Sequence, residues 1–335
     1  MRAYEIKKFG LDELKLVERP DPQAGFGQVV VKVRAVSLNF RDLAVVKGQY
    51  NPRLKIPMTP CSDAAGEVIA AGEGVTRVKT GDRVCGIFMQ GWLAGGVSEA
   101  VARTALGGAI DGVLAESVLL SQEGVVPVPE HLSFEEAATL PCAAVTAWHA
   151  LVAQGRIQAG DTVLTLGTGG VSTFALQFAT MSGARVIATS SSDEKLARAK
   201  SMGAWEGINY KTTPDWEERV RKLTGGGADH VVEVGGSGTL MQSLRAVRMG
   251  GTVSVIGALS GGGGAVSPLP ILMKSLRVQG IFVGSREMFE AMNRAIAMHR
   301  IRPVVDRVFR FEDAGVAMRY MESGAHFGKV VIGCR

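Results

Sequence analysis

The chain is poor in cysteine and has no long apolar run. Its four cysteines, Cys61, Cys85, Cys142 and Cys334, are scattered through 335 residues. None stands in a Cys-x-x-Cys pair, which argues against both a disulfide framework and a ribbon-type zinc site. No apolar stretch approaches the ~18 uninterrupted residues that would span a bilayer, so no membrane partner is expected. The opening MRAYEIKKFG has no apolar segment behind its charges, which predicts no signal peptide and a cytoplasmic location. There is no Gly-x-Ser-x-Gly elbow, so a hydrolase has no support. His131, His149, His230, His299 and His326 form no H-x-x-x-H or H-E-x-x-H pair that would hold a metal.

What is present describes an ordinary globular chain. Hydrophobic residues make up 46% and charged residues 21%. The length exceeds the usual single-core limit of ~250–300 residues, so two domains are expected. The net charge is +5, but the basic residues are interleaved with acids, which predicts no nucleic-acid partner and suits a small anionic ligand. Only HRIRPVVDRVFR near the C-terminus approaches a basic face, and Asp306 and apolar residues break it. The 43 glycines are nearly twice the usual share of about 7%, so tight turns and close backbone approaches are expected.

The pattern changes along the chain. The first ~130 residues read as short strands between turn signals, such as QVVVKVRAVSL, and predict a compact, mostly β, barrel-like domain. Ser133 followed by Glu136 is a capping box that opens a helix, with Pro141 interrupting it. Strand and helix patterns then alternate: DTVLTLG, VSTFALQFATMSG, ARVIATS, SDEKLARAKSMGA, GINY, DWEERVRKLTGG, HVVEVGG, GTLMQSLRAVRMGG, TVSVIG. This alternation predicts a parallel, doubly wound α/β sheet. GALSGGGGAV reads as a surface loop, and the tail returns to helix and short strands.

The stretch VLTLGTGGVSTFALQFA, residues 163–179, carries the main functional signal. Gly167, Thr168, Gly169, Gly170 and Val171 lie between a β-branched strand and an amphipathic helix. Glycines there permit a tight turn and let the main chain approach a pyrophosphate resting on the helix N-terminus. Ser172 stands where the usual fingerprint has glycine or alanine, so the motif is imperfect. A tight turn without a ligand is the competing reading. NAD sites place an acid at the end of the next strand, where this chain has Ser190. Hydroxyls of Ser190 and Ser191 with the charge of Lys195 would accept a 2′-phosphate, and Tyr210 would close the same pocket. NADPH is therefore expected over NADH; the alternative is a solvated loop and helix cap.

The chain resembles the medium-chain dehydrogenase/reductase superfamily over essentially its full length. The matching pieces are SLNFRDL, CSDAAGEVIAAGEGVTRVKTGDRV, LPCAAVTAWHAL, GDTVLTLGTGGVS, SSSDEKLARAKSMGA and HFGKVVI. The resemblance implies a GroES-like β-rich catalytic domain from 1–133 and 283–335, with a Rossmann NAD(P)-binding domain inserted at 134–282. It also implies an active site in the cleft between them and a homodimer or homotetramer. Zinc alcohol dehydrogenases of this family take catalytic ligands where this chain has Asn39, Ser62 and Cys142, with Asp63 in place of a neighbouring glutamate. One cysteine cannot hold an open zinc, and 86–125 contains no cysteine for a structural zinc. An improvised site from Cys61, Asp63 and Cys142 is conceivable.

Without zinc, the chain looks most like the quinone oxidoreductase and enoyl-reductase branch, which implies hydride transfer from NADPH to a small carbonyl or quinone substrate. The same resemblance makes Asn39 a hydrogen-bond donor to substrate or ribose, Tyr50 a phenolic donor lining the cleft, and Thr146 a neighbour of the nicotinamide. A turn amide, a packed tyrosine and a helical threonine bonded to its own backbone are the structural alternatives. Ile256 and Gly257, with Phe282 and Val283, match segments bordering the nicotinamide. Lys329 matches a group brought towards the adenine-phosphate side. Two other functions remain open: an alcohol dehydrogenase acting on an alcohol/aldehyde pair, and a dinucleotide-binding protein with a sensing or structural role.

Overall fold

The computed structural model describes residues 1–259, 261 and 263–334. Ser260 and Gly262 of the glycine-rich loop lie outside the described residues. The chain divides into two compact units, Met1–Val145 with Val283–Arg335, and Thr146–Phe282.

In the first unit, β1 (Arg2–Ile6) and β2 (Leu14–Glu18) form a separate antiparallel ribbon. The β-branched segment read from the sequence forms β3 (Gln28–Ser37), which pairs antiparallel with β4 (Asp63–Ala71). β5 (Arg83–Gly86) adds to β4, β6 (Ser117–Ser121) to β3, and β7 (Val125–Pro127) to β5. β3 and β4 approach closely at Gly66, where an added Cβ would stand 2.2 Å from the Lys32 carbonyl oxygen.

The second unit is a six-stranded parallel sheet. Its strands are β8 (Thr162–Thr165), β9 (Arg185–Ser190), β10 (Glu206–Asn209), β11 (Ala228–Glu233), β12 (Val247–Val255) and β13 (Arg277–Gly280). Their spatial order is β10-β9-β8-β11-β12-β13. That is the doubly wound arrangement, which reverses direction between β8 and β11 and leaves a crevice at the carboxyl ends of the strands. Leu164, Ile187, Val231 and Val253 from four of these strands share one core with Trp216 and Val220 of the helix Trp216–Thr224.

The tail returns to the first unit. β14 (Val305–Arg310) pairs parallel with β15 (Lys329–Gly333), which pairs antiparallel with β3. Phe311, Met318, Met321, Val330 and Ile332 share a core with Val31, Val36 and Val68, so both chain ends build one unit.

The first crossing between units lies after Val145, not after residue 133. The capping box at Ser133 and Glu136 forms, with Ser133 N–H donating to Glu136 Oε2 at 2.8 Å and Glu136 N–H to Ser133 Oγ at 3.2 Å. Its helix, Phe134–Ala137, nevertheless belongs to the first unit, where the Cys85 thiol donates to the Ala137 carbonyl. Pro141 sits near the start of a wider helical turn, Leu140–Ala144, that also stays with that unit. A capping box marks where a helix begins and says nothing of what it packs on.

Gly66→Ala is expected to lower the urea midpoint of unfolding by an amount corresponding to roughly 1–3 kcal/mol, because a backbone oxygen cannot move aside as a side chain can. An unchanged midpoint would count against the close approach of β3 and β4.

Candidate functional site

The carboxyl edge of the six-stranded sheet gathers most of the expected cofactor residues. Gly167 follows β8 with φ 71°, a left-handed conformation that favours glycine. Its N–H donates to Thr189 Oγ1 at 3.2 Å, which ties the turn to the end of β9. A Cβ added at Gly167 or Gly169 would meet nothing within 4 Å, so these positions face open space. The helix Gly170–Met181 then begins with no side chain capping its first N–H groups. Free N–H groups at a helix start attract an anion. Val171 is half-buried in its first turn and Thr168 is buried. Ser172 is turned inward, its hydroxyl donating to the Leu166 carbonyl at 2.7 Å. The departure from the glycine fingerprint therefore closes the turn from inside and leaves the outer face clear.

Ser190 ends β9, and its Oγ accepts from the Ser192 N–H at 3.2 Å. Tyr210 follows β10, exposed, with its N–H donating to the Ser190 carbonyl at 3.1 Å. Ser191 is half-buried beside them, and Lys195 lies in the first turn of the helix Asp193–Ser201, its N–H donating to Ser192 Oγ at 3.3 Å. Asp193, the first residue of that helix, accepts from Asn209 Nδ2 at 2.8 Å.

Glu233, missed in the sequence, holds the other half of this edge. Its completely buried carboxylate accepts from the N–H groups of Gly235 at 2.7 Å and Gly236 at 3.0 Å, and from Thr239 Oγ1 at 2.6 Å and Ser243 Oγ. Its carbonyl accepts from the Ile256 N–H at 2.8 Å. Ile256 and Gly257 are thereby fixed at the end of β12, and a Cβ on Gly257 would stand 2.6 Å from the Val234 carbonyl oxygen. An acid ending a β-branched strand before Gly-Gly was the available signal.

A second cluster lies within the first unit. Asn39 opens the helix Phe40–Val46, and its N–H donates to Asp42 Oδ2 at 2.8 Å. Asn39 Oδ1 accepts from Lys329 Nζ at 2.6 Å, and the same ammonium donates to the Leu38 carbonyl at 2.5 Å. Asn39 Nδ2 lies 3.5 Å from Ser62 Oγ, which donates to Asp63 Oδ1 at 2.6 Å. Asp63 Oδ2 accepts from the Cys142 N–H at 2.9 Å. Burial pushes Asp42 up to about 7, and also raises Asp63 against the pull of the Lys329 ammonium. Burial raises the Cys61 and Cys142 thiols well above the ordinary cysteine range, so both stay protonated.

The remaining expected residues fall as follows. Tyr50 is 45% exposed, with the Arg41 guanidinium 4.9 Å from its ring centroid and 4.6 Å from that of buried Phe88. Thr146 is buried at the start of the second unit, and Phe282, partly exposed, ends it. Val283 begins the returning segment of the first unit with φ 58°, a strained conformation for a β-branched residue. The Lys329 ammonium is held on Asn39 and Leu38, because β15 lies against β3 just before the helix begins. The Asn-x-x-Asp spacing of Asn39 and Asp42 was legible as a helix start; the arrival of Lys329 was not. In the basic C-terminal stretch, Arg302 pairs with Glu136, Arg310 with Asp313, and Arg307 covers Phe309, so no open cationic face is built from them.

These residues do not fit a zinc ion. A cation already lies against Asn39, and both oxygens of Asp63 accept hydrogen bonds. Among the described residues, no group of three or more His, Cys, Asp or Glu side chains is arranged to hold a metal.

A β-rich unit closed by both chain ends, and a doubly wound sheet with a glycine turn at its switch edge, define a two-unit dinucleotide-dependent oxidoreductase. Residues 25–130 match the alcohol dehydrogenase GroES-like domain, and 170–298 match the zinc-binding dehydrogenase family. A zinc-type alcohol dehydrogenase-like protein of Schizosaccharomyces pombe is 45% identical over 331 residues, 96% of each chain. Quinone oxidoreductase-like protein 2 of Bos taurus is 30% identical over 91% of this chain and 84% of its own. Among solved structures, an NAD-dependent alcohol dehydrogenase is 35% identical with TM-score 0.91, and mycobacterial Rv1454c complexed with NADPH is 29% identical with TM-score 0.84; each match covers 99% of both chains. The chain belongs to the medium-chain dehydrogenase/reductase superfamily, a superfamily of nicotinamide-dinucleotide oxidoreductases.

The buried carboxyl of Asp42 predicts a pH dependence. Its folded value, about 7, lies above the unfolded value of about 4, so folding takes up a proton between them. Its contribution is full below about pH 4 and is lost as pH rises to about 7. Asp42→Asn, whose amide oxygen still accepts from Asn39, should flatten the fall in urea midpoint across this window. Equal slopes for variant and wild type would refute the assignment.

Proposed function

We propose that this enzyme uses NADPH to reduce a quinone or an α,β-unsaturated carbonyl without zinc. The observation that carries the reading is the Lys329 ammonium 2.6 Å from Asn39 Oδ1, with no group of three or more His, Cys, Asp or Glu arranged to hold a metal among the described residues. When bound, the nicotinamide supplies a hydride. An enone or quinone accepts it readily because the negative charge delocalises onto oxygen, so positioning and a hydrogen bond suffice where a simple ketone needs a Lewis acid.

The chain's own residues divide the work. The turn of Gly167, Thr168, Gly169, Gly170 and Val171 takes the pyrophosphate on the uncapped helix N-terminus. Ser190, Ser191 and Lys195 take the 2′-phosphate, with Tyr210 beside them, because no carboxylate ends β9 to repel it. Ile256 and Gly257 with Phe282 and Val283 border the nicotinamide, next to Thr146. Asn39 and Tyr50 offer hydrogen bonds to the substrate oxygen. A second reading, an alcohol/aldehyde pair, has in its favour the names of the fission-yeast relative and of the NAD-dependent structure.

The same reading includes a homodimer or homotetramer. β13 pairs only with β12 among the described residues, and the adjoining helix Leu269–Met273 exposes Leu269, Leu272 and Met273, the last two at 72% each. An open strand edge beside such apolar surface suits a second copy of the chain. Leu272→Glu with Met273→Glu is expected to halve the mass in sedimentation; an unchanged mass would place any interface elsewhere.

The first test is a fluorescence titration with NADPH and NADH on metal-analysed protein, followed by a scan of quinones, enones and alcohols. Tighter NADPH binding and quinone or enone turnover without stoichiometric zinc are the expected results. Ser190→Asp should weaken NADPH by roughly tenfold or more through charge repulsion while leaving NADH nearly unaffected. Equal affinities in the wild type, or alcohol oxidation with one zinc per chain, would overturn the reading.

A further inference from the structure

We propose that Lys329 is a catalytic residue whose ammonium donates a hydrogen bond to the substrate oxygen on which negative charge develops. This rests on the reductase reading and assigns its electrophile. Lys329 is 4% exposed, and an ammonium carries three N–H donors. Two are engaged, at the Leu38 carbonyl (2.5 Å) and at Asn39 Oδ1 (2.6 Å). No other acceptor engages Nζ among the described residues. A buried ammonium with one donor free is costly unless something accepts from it, and an oxyanion is a strong acceptor in such surroundings.

The placement is rigid. Lys329 opens β15; its N–H donates to the Val304 carbonyl at 2.9 Å, and Val331 two residues on pairs with Ser37 of β3. Asn39 is anchored in turn by Asp42. Both partners of the ammonium thus stand on paired backbone, which is what a preorganised donor requires. Asp42 and Asp63, both fully buried, lie near enough for the Lys329 charge to pull each down, while their hydrogen bonds come from the Asn39 and Cys142 N–H groups and Ser62 Oγ.

For an enone, hydride from NADPH adds to the β-carbon and the C=C electron pair shifts, so that negative charge gathers on the carbonyl oxygen. Lys329 stabilises that oxygen and keeps its protons. A proton from water then bonds to the α-carbon, giving saturated ketone and NADP⁺. The hydroxide left behind takes a proton from solvent, so that overall enone + NADPH + H⁺ gives saturated ketone + NADP⁺.

A phenol that ionises near neutral pH tests this without turnover. 4-Nitrophenol resembles a half-reduced quinone, and its colour reports ionisation. Bound to wild-type protein it should ionise about one pH unit lower than free, roughly a tenfold gain in phenolate at a given pH. Lys329→Met should abolish the shift and lower quinone kcat by about 10²–10³, with NADPH affinity changed less than about threefold. Lys329→Arg, which keeps the charge, should retain part of the shift. If Lys329→Met does not fold, as judged by circular dichroism, the wild-type shift and Lys329→Gln decide.

An unshifted probe in the wild type, or an undiminished shift in a folded variant that lacks the ammonium, overturns the proposal. So does a variant that binds NADPH poorly yet turns over normally at saturation, since Lys329 would then serve the cofactor. A Lys329-dependent shift in protein that reduces neither quinone nor enone would support the oxyanion site and refute the reductase reading.

Discussion

The pairing of β15 with β3 is the contact on which the first unit depends. Val331 faces Ser37, Ile332 faces Val36 and Gly333 faces Ala35, so residues nearly 300 positions apart lie on adjacent strands. Around this seam the last segment contributes Phe311, Met318 and Ile332 to the same core as Val31 and Val68. Closing so long a loop costs conformational entropy, but the cost grows only slowly with length, and the inserted sheet folds around its own core. The seam also fixes where the helix Phe40–Val46 begins and where Lys329 emerges. Architecture and chemistry in this unit share one strand register.

The polar interior beside that seam follows from electrostatics in a medium that solvates charge poorly. Two carboxyls, one ammonium and one guanidinium neighbour lie close together; backbone and side chains engage many of their polar atoms, while Asp42 Oδ1, Arg41 Nε and Ser37 Oγ are buried without a partner among the described residues. Burial raises both carboxyls and both nearby thiols, whereas the cations pull them down. The match to zinc-binding dehydrogenases covers residues 170–298, whereas Asn39, Ser62, Asp63 and Cys142 all lie in the first unit, outside that match.

The dinucleotide edge is built by similar economy of polar groups. Ser172 and Thr189 satisfy the turn after β8 from beneath, and Glu233 gathers the turn after β11 and the end of β12. With the turns held from inside, the outward N–H groups at the start of the helix Gly170–Met181 stay free for an anion.

The sequence by itself determined the strand–helix alternation, the glycine turn and the absence of an acid at Ser190, because these are local: periodicity, turn chemistry and spacing act within a few residues. It also determined which residue types stand at Asn39, Ser62 and Cys142. Only the tertiary structure decided that the helix after Ser133 belongs to the first unit, that Glu233 holds a turn, and that Lys329 meets Asn39. Each of those rests on a pairing between distant segments. Spacing along a chain carries no information about which strand edge a distant segment will find, and that choice is made by cooperative burial of the whole core.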